Sequence, residues 1–382
     1  MKYSRRSFIS FLGKASLGSL VIPPFLMSCG NTPTPIAKEK IAEATIKRLK
    51  KLVLKSINPS DEDDLVLANG LNYHPIIKWG DPINALDTFG FNNDFTCFIP
   101  LDDQNPKDGL LWVNHEYMNP LFVSDYNYRN KNQKRTKQQV DKEMYQVGGS
   151  IVRIKEENGT WNVVENDPLN RRITAKTPMK INWDWPIKGE TIAIGTLANC
   201  SGGITPWKTF LTCEENYDNF YGETIYNSKN QPQHKPSTYY NWETFYEYPP
   251  EHYGWVVEIN PKDGSSQKHI ALGRFAHECC TLYELEDKRV VAYSGDDAND
   301  EHLYKFISST PSSLKEGTLY VADTINGKWL PLDWEQQPGE QTKDVKNPTS
   351  SWPFDEDNIP KPAVVAIRGD LIEKMNKLHL LV

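Results

Sequence analysis

Along the chain, short apolar or alternating stretches are separated by turn residues, a period-two pattern that predicts strands. The clearest lie at 95–101, 109–113, 150–154, 161–164, 209–212, 254–259, 290–293 and 318–322. Asn158-Gly159 sits between two such runs as a type I′ hairpin signal, and Asn326-Gly327 does the same further on. Asp263-Gly264 closes a turn after 254–259. Long polar stretches at 126–144 and 227–251 read as loops, and the basic run 131–137 as part of a solvated one. Helical spacing is convincing only at 37–55, which is rich in Ala, Lys, Glu and Ile and follows a Thr/Pro-rich linker. No exact repeat period emerges. Recurring hairpins with large loops nevertheless predict an all-β array, for which a β-propeller is the natural candidate.

Composition agrees. Of 382 residues, 11 are Trp, 18 Tyr and 26 Pro, too aromatic for a disordered chain and too rich in Pro for a helical bundle. The net charge is −7, and it moves to −11 without the four basic residues of the first 28 positions, which hold no acid. A chain this acidic is not expected to bind nucleic acid by neutralising phosphates.

The N-terminus reads as an address. Ser4-Arg5-Arg6-Ser7-Phe8-Ile9 is a twin-arginine sequence, followed by a modest apolar stretch and then Leu26-Met27-Ser28-Cys29-Gly30, which has the form of a lipoprotein cleavage box. Lys14 and Pro23-Pro24 break the apolar run short of the ~20 residues a membrane span needs. The expectation is a Tat signal over 1–28, lipid attachment at Cys29, a linker and tether helix over 29–60, and a β domain over 61–382. Export would place the protein in the periplasm or at the cell surface, held to a membrane face by acyl chains rather than a span. Because Tat carries folded proteins, it also raises the expectation of a metal.

Beyond Cys29 there are five cysteines, none in a CxxC pair, so neither a disulfide framework nor a tetrahedral zinc site is expected. The distinctive chemistry lies where strands begin or end. The clusters are Asn92-Asn93-Asp94, Asn114-His115-Glu116, Cys213-Glu214-Glu215-Asn216, His277-Glu278 and Asp296-Asp297. Carboxylates that converge repel one another unless cations neutralise them, and oxygen-rich sets suit hard ions such as Ca²⁺, Mg²⁺, Mn²⁺ or ferric iron. Each cluster also has a plain reading: a rim charge for one of Glu214 and Glu215, hydrogen-bonded structural roles for His115 and His277, a turn for Asp296-Asp297, a small buried thiol for Cys200. Their shared position at strand boundaries favours a metal site. No GxSxG elbow, P-loop, HExxH or dinucleotide fingerprint is present.

At these motifs the chain resembles the PhoX-type alkaline phosphatases. The matching stretches are Phe91-Asn92-Asn93-Asp94, Trp112-Val113-Asn114-His115-Glu116, Gly195 through Trp207, Leu211-Thr212-Cys213-Glu214-Glu215-Asn216, Arg274-Phe275-Ala276-His277-Glu278, and Gly295-Asp296-Asp297 through Phe306. The resemblance spans roughly 70–325. It implies a propeller, six-bladed in the family, with an oxo-bridged pair of ferric ions and calcium ions beside them. Carried over residue by residue, Cys200 would be an iron-ligating thiolate, with Glu215 and Glu278 as carboxylate ligands. Glu116, Asn93, Asp94 and Asp297 would be calcium ligands. Glu214 is the weaker of its pair, because strand alternation puts Cys213 and Glu215 on one face and Glu214 on the other. Arg274 would contact phosphate oxygens or make a structural salt bridge. The family's further Arg-Pro-Glu element does not occur here, so the chain is expected to be short at its C-terminus or to have a degenerate last blade.

The function expected is a monomeric extracytoplasmic phosphomonoesterase that releases phosphate from small organic esters with a central iron/calcium cluster. The alternatives are an inactive metal-binding propeller and a calcium-dependent, lactonase-like propeller hydrolase.

Overall fold

In a computed structural model, residues 56–227, 229, 231–298, 301–323 and 327–332 are described. The signal region, Cys29 and most of the tether segment lie outside them. The chain divides into two units, Met1–Pro75 and Ile76–Val382. In the first, 56–75 is mostly irregular, and the Tyr73 hydroxyl donates to the Asp64 carboxylate.

The second unit is built of sheets whose strands pair antiparallel with one exception. The first sheet contains β1 (Asn93–Asp102), β2 (Asn105–His115), β3 (Gly148–Glu157), β4 (Thr160–Val163) and β5 (Arg171–Ile173). Its β3–β4 turn is the Asn158-Gly159 pair, at φ 54° and 85°, the two positive values a type I′ turn demands. The second sheet contains β6 (Pro178–Asn182), β7 (Ile192–Ile194), β8 (Asn199–Ile204) and β9 (Phe210–Glu214). A small hairpin, β10 (Glu223–Tyr226) with β11 (Pro232–Lys235), follows. Then β12 (Val256–Ile259) and β13 (Ser266–His269) complete the second sheet in the order β7-β6-β13-β12-β9-β8, and β13 and β6 are parallel neighbours. The third sheet is a plain meander: β14 (Thr281–Glu284), β15 (Val290–Gly295), β16 (Leu303–Ser308), β17 (Gly317–Asp323) and β18 (Lys328–Leu332). No closed barrel forms among the described residues.

Apolar faces of successive sheets interdigitate. Ile99, Leu110, Trp112 and Ile151 pack against Met179, Phe210, Val257 and Ile259, joining the first sheet to the second. Leu211, Cys213 and Val256 pack against Val290, Tyr304, Phe306 and Val321, joining the second to the third. The edge strands β1, β8 and β14 thereby come together, with β8 between the other two.

Two expectations for the loops need correction. The stretch 126–144 holds most of a helix, α2 (Lys137–Gln146), which follows the short α1 (Pro120–Ser124). Only Val140, Glu143 and Met144 of α2 are buried, too sparse an apolar stripe to read from periodicity. The legible signal was the capping box, Thr136 with Gln139, which satisfies two N-terminal N–H groups reciprocally. The stretch 227–251 contains β11 and two single-turn 3₁₀ segments, and the one-turn α3 (Asp218–Tyr221) precedes it. The β17–β18 pairing places its turn near Gly327 as expected.

Candidate metal centre

The strand-boundary clusters come together where the three edge strands meet. One side chain, Cys200 of β8, belongs to two groups of metal-competent donors. It forms one with Glu215 and Glu278 and another with Asp94 and Glu116, and in each group the donor atoms lie within 4.8 Å of one another. Cys200 Sγ is 3.6 Å from Glu278 Oε1. Asp297 joins through a hydrogen bond with Glu215, and Asp94 bonds to Glu116. Asn93 lies at the start of β1, exposed, across from His115.

Local sequence explains the placement. Glu215 follows β9, and its N–H donates to Ala198 O at 2.9 Å, which ties it to the start of β8. Two glycines let β8 squeeze between its neighbours: a Cβ on Gly202 would stand 2.0 Å from Leu211 O, and one on Gly203 2.2 Å from Cys280 O. Glu116 and Glu278 each follow a buried histidine. His115 Nε2 bonds Ser150 Oγ and His277 Nδ1 bonds Ser294 Oγ, each at 2.7 Å. Burial pushes both imidazoles down, His277 to about 3, so they stay neutral. The repeated His-Glu therefore pairs a structural imidazole with a carboxylate that reaches the cluster.

Electrostatics mark the cluster as a site short of positive charge. Burial, then the Asp94 and Glu215 carboxylates, raises Glu116 to about 8. Burial, then Asp297 and Glu278, raises Glu215 to about 7. Burial and the same carboxylates push the Cys200 thiol up. Like charges that must share a site retain protons, and a bound cation reverses each of these shifts. The carboxylate oxygens suit hard cations, and the single thiolate adds a softer donor of the kind that iron or zinc accepts.

Three placements refine the expectations. Glu214 turns away from Glu215, as strand alternation requires, into a buried ion pair with Lys268 at 2.6 Å. Arg274 is corrected as a phosphate contact: its guanidinium is buried and committed to Tyr253 O, Pro250 O and the Glu223 carboxylate. The salt-bridge alternative is the one the structure contains. Tyr117 was missed: Asn216 Nδ2 donates to its hydroxyl at 2.9 Å and also to Glu215, linking the residues that follow β2 and β9. Its position directly after Glu116 carried no separate signal.

The family model for alkaline phosphatase PhoX matches residues 52–357. The chain belongs to the PhoX alkaline phosphatase family. Among solved structures, it is similar to Pseudomonas fluorescens PhoX in complex with vanadate, a transition state analogue, with 29% sequence identity and a TM-score of 0.61. That match covers 73% of this chain and 58% of the PhoX chain. No curated protein sequence matches.

Proposed function

We propose that this chain is a phosphomonoesterase that acts outside the cytoplasm on small phosphate esters. The observation that carries the reading is the single thiol shared by two carboxylate groups at the meeting of three sheet edges. Family membership and the likeness to a vanadate-bound PhoX support it. Successive sheets packed face to face, with their edge strands inward, support a propeller closed around this centre.

In this reading Cys200, Glu215 and Glu278 hold ferric iron, and Glu116, Asp94, Asn93 and Asp297 hold calcium. When bound, such ions supply Lewis acidity and offset the charge that develops on a transferring phosphoryl group. The protein's part is to aim the donors and give up protons. Burial and neighbouring carboxylates raise Glu116 and Glu215, so ion loading competes with protons at these two groups. The Tyr117–Asn216 pair steadies Glu215, and the buried His115 and His277 anchor the backbone before Glu116 and Glu278. The acidic surface need not repel the ester, because the local field at the centre is set by its ions.

The twin-arginine sequence and Cys29 support Tat export and a lipid anchor. No helix among the described residues is long and apolar enough to cross a membrane. We take the protein to act as a monomer. The test is metal content measured together with hydrolysis of p-nitrophenyl phosphate. Full iron and calcium loading with no phosphate release refutes the enzymatic reading in favour of a non-catalytic metal binder. Faster turnover of lactones than of phosphate esters would favour the lactonase-like alternative.

A further inference from the structure

Strand β8 is irregular where it carries Cys200. From Asn199 to Gly202 it advances three residues, while β9 advances two, from Glu214 to Thr212. A bulge of this kind takes backbone groups out of the ladder, and a buried carbonyl without a donor is costly. Cys200 and Ser201 lie inside it. Their carbonyls are met from the neighbouring sheet: Asn114 Nδ2 donates to Cys200 O at 2.7 Å and to Ser201 O at 3.0 Å. The other end of the Asn114 amide is pinned as well. Its Oδ1 accepts from Trp112 Nε1 at 2.6 Å and from Thr212 Oγ1 at 2.8 Å. An indole nitrogen can only donate, so the atom facing it is the amide oxygen and the NH₂ faces the bulge. Thr212 Oγ1 in turn accepts from Asn199 Nδ2 at 3.0 Å, closing the network on β8 itself. Asn114, Asn199, Thr212 and Trp112 are all fully buried.

We propose that Asn114 is a positioning residue for Cys200. Its amide takes the place of the ladder partner that the bulge lacks and holds the thiol toward Glu215 and Glu278. It acts through the backbone of the bulge, by its hydrogen bonds to the carbonyls of Cys200 and Ser201. The inference rests on the reading of Cys200 as a metal ligand. Outer residues that orient a ligand typically change metal affinity by ~10–100-fold when replaced, and Asn114 is expected to fall in that range.

Asn114→Asp is the informative change. It keeps the shape and the acceptor for Trp112 and Thr212, but turns an oxygen instead of an NH₂ toward two carbonyls. The full chain is titrated with Co²⁺ while the thiolate-to-cobalt charge-transfer band is followed. The wild type should show the band, Cys200→Ser should lose it, and Asn114→Asp should bind ~10–100-fold more weakly with a diminished band. Thr212→Val, which frees the amide oxygen from one of its two donors, should shift in the same direction by less, and serves if Asn114→Asp does not fold. Ile187→Ala, a buried core change in a cluster that holds no member of the network, should leave affinity in the folded protein unchanged. Wild-type affinity and band in both Asn114→Asp and Thr212→Val overturn the inference. A wild-type band in Cys200→Ser instead overturns the reading of Cys200, and the inference with it. An equal loss in Ile187→Ala would overturn the inference, because general destabilisation rather than positioning would then account for the change.

Discussion

Beneath the candidate centre, the Lys268–Glu214 pair offers a sharp test of the packing argument. The two side chains are 1% and 0% exposed and meet at 2.6 Å. Glu214 Oε2 also accepts from the N–H groups of Gly254 and Trp255, at 3.0 and 3.1 Å. Lys268 Nζ donates to His252 O at 2.8 Å and lies 4.5 Å from the centre of the Tyr253 ring. Lys268→Met keeps most of the volume and removes the ammonium. Breaking one side of a buried pair typically costs about 3–5 kcal/mol, because the remaining charge is left uncompensated. Two backbone donors still serve Glu214, which argues for the lower part of that range. The His252 carbonyl loses a donor as well, about 1 kcal/mol or more. We therefore expect about 3–4 kcal/mol. With a urea slope of about 3 kcal/mol/M, the upper end of the usual range, the unfolding midpoint falls by roughly 1 M. Adding Glu214→Gln removes the stranded charge while leaving an acceptor for Gly254 and Trp255, so the double variant should recover at least half of the loss. Urea denaturation followed by tryptophan fluorescence measures both. A single variant within about 1 kcal/mol of wild type, or a double variant no better than the single, would refute the reasoning.

Other expectations follow from the same geometry. Glu215→Ala should abolish hydrolysis of p-nitrophenyl phosphate and the thermal stabilisation given by calcium, read by activity assay and by calorimetry with and without the ion. If the proposed function holds, vanadate, which Pseudomonas fluorescens PhoX binds, should inhibit hydrolysis competitively with substrate. Burial works to raise Glu258, but hydrogen bonds from His269, Thr209 and Trp207 and the His269 charge outweigh it and hold the carboxyl at about 2. A lowered pKa stabilises the fold fully above the ordinary carboxylate pKa, and that contribution is lost as pH falls from about 4.5 toward 2. The size is about 3 kcal/mol, and His269→Leu should flatten urea stability across that window. Gly202→Ala would force a Cβ to 2.0 Å from Leu211 O, so it should destabilise by about 1–3 kcal/mol and speed alkylation of Cys200 relative to the equally free Cys97.

Much of this was legible in the chain because the information was local. A type I′ turn needs two residues with positive φ, and Asn158-Gly159 announces it without reference to anything distant. The same is true of strand alternation, which places Glu214 and Glu215 on opposite faces whatever their partners. What stayed hidden depended on contacts between sheets. Arg274 sits in the same motif as Glu278, yet Glu223, some fifty residues earlier, claims its guanidinium. The role of Asn114 depends on a one-residue offset in another strand, and no pattern within β2 encodes that. Helix α2 lay between these extremes: its cap was written in Thr136 and Gln139, but its buried face is only a few side chains wide.

The donors gathered around Cys200 run from Asp94 to Asp297, almost the whole length of the described β unit, whereas most strand pairings join neighbours in sequence. Closing short hairpins costs little chain entropy and is fast; joining distant segments is slow. The sheets can therefore form early and independently; docking of the first on the second assembles Asp94, Glu116 and Cys200, and the third sheet brings in Glu278 and Asp297. No single sheet contains either donor group, so the candidate centre is a product of docking between sheets and not of any one hairpin.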